Sequence, residues 1–241
     1  AAVDVQKDRL EFEVMGWGVA EESWGILRGA IHGDPEGLDV WKDLDDLLHR
    51  KWNHPSGSRL GIAAACIDSG YATQTVYRFT KPRQSRRIFA VKGSSAAGAP
   101  LISKRFLKQG RTTLFLVGGQ VAKDSIFARL KSEEVGPRYM HFPVGYGYTE
   151  EFYRQLTAEE IRTRMKNGFP VRYYKKLRER NESLDIRVYN MAALEILNPN
   201  MERIMAGLEV EQKSQEEADE PLTVKSPTKP KKSGGFANSW R

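Results

Sequence analysis

The run Leu60-Gly61-Ile62-Ala63-Ala64-Ala65-Cys66-Ile67, closed at once by Asp68, constrains this chain more than any other stretch. It is apolar on both faces. A strand of that kind belongs in the middle of a sheet, buried on both sides. The segments around it supply the rest of such a fold. Val3-Asp4-Val5 reads as a short apolar strand interrupted by one carboxylate. Leu10 to Trp17 alternates in period two and reads as a half-buried strand, and Ser23 to Ile31 as a third, ended by Gly33-Asp34-Pro35. Their closeness in sequence favours an antiparallel meander.

Helices and further strands then alternate. Asp39 is read as the cap of a helix whose Val40, Trp41, Leu44, Leu47 and Leu48 recur at helical spacing. Tyr71 to Phe79 reads as a helix, Ile88 to Val91 as a buried strand and Gly93 to Pro100 as a loop. Leu114 to Val117 is a strand, Lys123 to Leu130 a helix and Arg138 to Phe142 a short strand. Thr157-Ala158-Glu159-Glu160 has the capping-box pattern, which predicts a helix running to about Asn167. Val171 to Arg180 is basic and aromatic. Leu184 to Leu197 reads as the last clear helix, stopped by Asn198-Pro199. A meander followed by alternating helix and strand predicts a mixed α/β layer fold. After about Val210 apolar residues become scarce, so residues 1–210 are expected to form one domain and 211–241 a disordered tail.

The chain has 241 residues, 40% of them hydrophobic, enough for one sizeable core. A net charge of +7 and a pI near 9.4 suit an acidic partner such as nucleic acid, and equally serve solubility. A single cysteine, Cys66, excludes an intrachain disulfide and a cysteine zinc site, and fits a reducing, cytoplasmic setting. No apolar run is long enough to span a bilayer, and no signal peptide is evident. Beginning within a strand, the chain reads as an excised domain.

Three carboxylates stand where apolar strands and helices do not want them: Asp4 inside the first strand, Asp68 at the end of the most hydrophobic one, and Asp185 at the start of the last helix. If the first strand pairs in parallel with the one ending at Asp68, the two carboxylates meet, and the last helix can bring Asp185 alongside. Hard oxygen ligands of this kind suit Mg²⁺ or Mn²⁺, and a pair of ions suits phosphodiester hydrolysis. Each residue also has a purely structural role open to it, as a turn at Asp68-Ser69-Gly70 or a helix cap at Asp185.

Lys123 is a candidate for stabilising charge at a phosphate, or a solvated residue at a helix start. His141 is a candidate base, or a packed histidine beside Phe142-Pro143, and Glu22 a candidate further oxygen donor. Lys175, Lys176, Arg178 and Arg180, with Tyr173 and Tyr174 beside them, suit a DNA backbone. Lys81, Arg83, Arg86 and Arg87 suit it no better than they suit a plain charged surface.

Several stretches, in this order, resemble the C-terminal nuclease domain of the large terminase subunit of lambda-like tailed phages. They are Val3-Asp4-Val5-Gln6 with Arg9-Leu10-Glu11, Gly16-Trp17-Gly18 with Glu22-Ser23-Trp24, and Ile67-Asp68-Ser69-Gly70. Val117-Gly118 with Lys123-Asp124, Gln155 to Glu159, and Asn181 to Asp185 continue the pattern. The resemblance implies a ribonuclease H-like mixed sheet flanked by helices, with Asp4, Asp68 and Asp185 as metal ligands, and metal-dependent cutting of concatemeric double-stranded DNA during genome packaging in the host cytoplasm. It also implies the terminase ATPase domain, the small terminase subunit and the portal or prohead as partners. No G-x-x-x-x-G-K-[ST] occurs, so no ATPase activity is expected of this chain. The alternatives are another ribonuclease H-like nuclease, such as a junction resolvase or integrase, and a non-catalytic DNA-binding or portal-docking module.

Overall fold

The computed structural model describes residues 1–94, 96, 98–107 and 112–219. In chain order come β1 (Ala2–Val5), β2 (Arg9–Trp17), β3 (Ser23–His32), α1 (Asp39–Leu48), β4 (Lys51–Asn53), β5 (Arg59–Gly61), β6 (Ala65–Asp68) and α2 (Thr73–Thr80). They are followed by β7 (Ile88–Gly93), β8 (Ile102–Leu107), β9 (Thr112–Val117), α3 (Gly119–Arg129), β10 (Met140–His141) and α4 (Glu150–Leu156). The series ends with β11 (Glu159–Lys166), β12 (Phe169–Lys176), α5 (Glu182–Leu197) and α6 (Met201–Asp219). Among the described residues, no helix is long and apolar enough to cross a membrane.

The main sheet runs β10-β3-β2-β1-β6-β7-β9-β8. β1, β2 and β3 form the expected antiparallel meander. β1, β6, β7 and β9 then run parallel to one another, and β8 closes the edge antiparallel to β9. Apolar side chains alternate across the strands, so each face needs its own cover. On one face Val3, Val5, Ala65 and Ile67 pack with α1 and α2, through Trp41, Leu44, Val76 and Phe79. On the other, Ala2, Cys66, Val91 and Val117 pack with α3, α4 and α5, through Ile126, Phe152, Leu156, Leu184 and Ile186. This is the ribonuclease H-like mixed sheet flanked by helices.

The structure corrects several local expectations. The apolar run at 60–67 is not one strand. Leu60 lies in β5, paired with β4 in a separate hairpin and 40% exposed, and only Ala65 onward enters the sheet. β2 is not half-buried: Glu11 and Glu13 are as deeply covered as its leucines and valines, because α5 lies over that face too. Asp39 is the first residue of α1, and its side chain makes no capping bond. Strand β8 and helix α6 are additions to the elements expected from the sequence. α6 carries helix through residues 211–219 of the expected tail, whose remaining residues, 220–241, lie outside those described.

The largest correction concerns 157–176. Thr157 ends α4 rather than starting a helix, and the N-cap is Thr149, whose side chain accepts from Phe152 N at 3.4 Å. Beyond α4 the chain enters the antiparallel hairpin β11–β12. Its turn is Asn167-Gly168, at φ of 52° and 82°, the left-handed pair that a two-residue hairpin turn demands and that Asn-Gly supplies with least strain.

Candidate metal centre and nucleic-acid interface

Register brings the first two carboxylates together. β1 and β6 run parallel with Ala2 beside Cys66 and Val3 beside Ile67, so one further step sets Asp4 beside Asp68. Asp4 shares a face with Ala2, and Asp68 with Cys66, which is the face covered by α5. Asp185 stands in the first turn of that helix, which packs on β1, β2 and β6. Three carboxylates far apart in sequence are thus gathered over the ends of the two central strands.

Each is held by a neighbour. Gln6 Nε2 donates to Asp4 Oδ2 at 2.7 Å. The Gly70 N–H and the Tyr189 hydroxyl donate to Asp68 at 3.0 and 3.1 Å. Asn181 Nδ2 donates to Asp185 Oδ2 at 3.0 Å, and Lys123 Nζ lies 3.7 Å from Asp185 Oδ1. Among the described residues, no three His, Cys, Asp or Glu side chains converge closely enough to hold an ion as they stand.

Electrostatics nevertheless couples the three. Burial, reinforced by the charges of Asp68 and Asp185, pushes the Asp4 carboxyl up to about 8. Burial raises Asp185 to about 6, with Glu159 and Asp68 adding to it and Lys123 and Lys176 opposing. Burial also raises Asp68, against the hydrogen bonds from Gly70 and Tyr189. Burial first, and then the charges of all three aspartates, hold Tyr189 well above the usual phenol range.

Sequence reasoning misses Glu159, Asn181, Tyr189 and Gln6. The capping-box pattern gives Glu159 a purely local role. Instead it is buried at the root of the β11–β12 hairpin, accepting from Lys123 Nζ at 2.7 Å and Asn181 Nδ2 at 2.9 Å. Lys123 is therefore within the site, on α3, rather than a solvated helix-start residue.

The basic cluster divides. Lys175 and Lys176 are exposed on β12, opposite Glu160 and Glu159, and the charge of Lys176 is felt at Asp185. Arg178 is drawn to Glu151 at 3.1 Å, and Arg180 to buried Glu11 at 2.8 Å. The hairpin's base is fixed by Tyr174, which stacks on Phe127 and donates to Asp124 at 2.6 Å. His141 and Glu22 are not brought to the site. His141 Nε2 lies 2.6 Å from Glu22 Oε1, with its ring stacked on Trp24, at the β3–β10 edge of the sheet. Asp4 is level with Glu11, and Glu11 with Ala30, so Glu22 lies eight residues along β3 from that level. At ~3.3 Å per residue that is roughly 25 Å. Of the first basic cluster, Arg83 and Arg86 are tied to Asp45, at 3.0 and 2.8 Å.

The fold is ribonuclease H-like, and the chain belongs to the family described as terminase large subunit gpA, endonuclease domain, which residues 1–205 match. It is similar to the terminase large subunit of Escherichia phage lambda, 32% identical over 206 residues that cover 81% of this chain and 32% of that protein. It is also similar to the terminase large subunit of Enterobacteria phage P21, 30% identical over 235 residues that cover 93% of this chain and 36% of that protein. The chain spans about a third of the length of these relatives. No solved structure matches it.

Proposed function

We propose that this domain is a divalent-metal-dependent endonuclease that cuts concatemeric double-stranded phage DNA during genome packaging, with Asp4, Asp68 and Asp185 holding Mg²⁺ or Mn²⁺. One observation carries the reading. Strand register and the packing of α5 on β1 and β6 bring carboxylates from these three elements to one end of the sheet, and acidic neighbours add to burial in raising Asp4 and Asp185. Buried like charges of this kind are stable only when protonated or when a cation shares the site. The donor set fits, since hard carboxylate oxygens are the preferred ligands of both ions. As they stand the three do not converge closely enough to hold an ion, and each also accepts a hydrogen bond from the protein.

When bound, such ions activate water and stabilise the attacking and leaving oxygens of a phosphodiester. The chain's own groups do the rest. Lys123 stands beside Asp185, where its charge would oppose negative charge building on the phosphate. Lys175 and Lys176 lie on the strand leading to the site and would hold the DNA backbone. For the whole protein, the partners on this reading are the ATPase domain, the small terminase subunit and the portal or prohead.

The test is cleavage of linear duplex DNA and plasmid by the isolated chain with Mg²⁺, with Mn²⁺ and with chelator. Cleavage should need the metal, and Asp4→Asn, Asp68→Asn and Asp185→Asn should each abolish it while circular dichroism stays native. Cutting in chelator, or native-rate cutting by any of the three variants, overturns the assignment. A preference for branched over linear duplex would point to a resolvase instead.

A further inference from the structure

Glu159 sits between two groups that also reach Asp185. Its Oε2 accepts from Lys123 Nζ at 2.7 Å, whereas that ammonium is 3.7 Å from Asp185 Oδ1. Its Oε1 accepts from Asn181 Nδ2 at 2.9 Å, and the same amide donates to Asp185 Oδ2 at 3.0 Å. The Glu159 side chain is 7% exposed and that of Asp185 35%. The lysine is thus shared unequally. It makes a full charge-assisted hydrogen bond to the buried carboxylate and only a longer contact to the open one.

We propose that Glu159 is a positioning residue that draws the Lys123 ammonium away from Asp185 and so leaves the Asp185 carboxylate open to a divalent cation. This rests on the reading of Asp185 as a metal ligand. An ammonium and a divalent cation compete for the same carboxylate lone pairs. A lysine bonded directly to Asp185 would have to be displaced before a cation could take its place. Glu159 satisfies the lysine beforehand, and its charge balances that of Lys123. Through Asn181 it also fixes one oxygen of Asp185. Three elements that are distant in sequence, α3, the root of β11 and the start of α5, are thereby locked around one ligand.

The experiment measures Mn²⁺ affinity by calorimetry, without DNA, for the native chain, Glu159→Gln, Lys123→Met and the double variant. Glu159→Gln should bind Mn²⁺ about tenfold more weakly, the size of effect seen when a ligand loses its outer support. The double variant should return to within about twofold of Lys123→Met, since the competitor is gone. A residue that merely anchored the hairpin would leave the double variant as weak as Glu159→Gln. Native affinity in Glu159→Gln, or no recovery in the double variant, overturns the proposal. A second measurement needs no metal. In urea unfolding with chelator, the coupling between Lys123 and Asp185 in a double-mutant cycle should grow when Glu159 is replaced by Gln, and an unchanged coupling also overturns it. If the native chain binds no Mn²⁺, or Asp185→Asn binds it as tightly, the metal reading fails. The urea cycle then decides alone whether Glu159 diverts Lys123.

Discussion

Arg187 on α5 and Glu13 on β2 form an ion pair that solvent does not reach, their side chains being 1% and 0% exposed. Asn190, one turn further along α5, also donates to Glu13 at 3.2 Å, and the Tyr148 hydroxyl donates to it at 3.0 Å. Two positions before Arg187, the same helix carries Asp185. The pair therefore fixes both the depth and the rotation of the helix that delivers the third carboxylate. Removing one partner leaves an uncompensated buried charge. Arg187→Ala should destabilise the domain by about 3–5 kcal/mol in urea unfolding, and Arg187→Met with Glu13→Leu by much less. Equal losses in the single and double variants would show that the pair itself, rather than the orphaned charge, governs stability.

The raised carboxyls give a pH dependence of definite sign. Asp4 is held at about 8, against a value near 4 in an unfolded chain. Between those values the native state keeps a proton that the unfolded state has released. The metal-free domain should therefore lose stability steadily as pH rises from about 4 to about 8, with Asp185 adding the same trend up to about 6. Asp4→Asn should flatten the slope, and Mg²⁺ should restore stability at pH 8. Unfolding midpoints in chelator at pH 5, 6.5 and 8 test this, and stability that rises over that range contradicts it.

The exposed lysines of β12 suit a DNA backbone, so DNA affinity should rest on phosphate contacts. Lys175→Ala with Lys176→Ala should weaken binding alike on any sequence and make the salt dependence shallower, by roughly 0.9 for each phosphate no longer neutralised. Arg180→Ala should leave that slope alone and instead loosen the wall around Glu11, where Arg9, Arg28 and Arg180 converge. Affinity at several salt concentrations separates the two classes. An unchanged slope in the lysine variant rules out that site of contact.

Gly147 presses on β3. At φ 86° its backbone is left-handed, and a Cβ there would lie 1.9 Å from the carbonyl oxygen of Arg28. Gly147→Ala should cost roughly 2–4 kcal/mol from strain and collision together. It should also shift the loop leading into α4. A stability within 0.5 kcal/mol of native, about the ordinary scatter of surface substitutions, would mean that the loop relaxes freely.

The meander and α1 are legible in the sequence because their apolar periodicity is local, and the parallel strands as short apolar runs, although β6 begins later than its run suggests. Asp4, Asp68 and Asp185, the ligands of the proposed site, stand out for the opposite reason, as charges that break or end apolar elements. The 157–176 hairpin is misread because Thr157 and Glu159 imitate a helix start, although Asn167-Gly168 marks a turn in the sequence itself. Tyr189 and Glu159 are invisible as site residues because their partners are remote. Tyr189 reaches Asp68 across 121 positions, and Lys123 reaches Glu159 across 36. No local pattern encodes such pairings; they arise only once α3 and α5 are stacked on the same face of the sheet.

Because the carboxylates arrive on β1, β6 and α5, the site has an order of birth. Asp4 leaves the ribosome well before Asp185, which emerges only when the last helix of the core is being made. At the usual 5–20 residues per second, roughly 10–40 s separate the two. Throughout that interval the chain carries at most two of the three carboxylates and lacks the helix that closes the sheet. On the proposed reading, chemistry that needs all three would be withheld from the nascent polypeptide, and a product truncated before α5 should be inert.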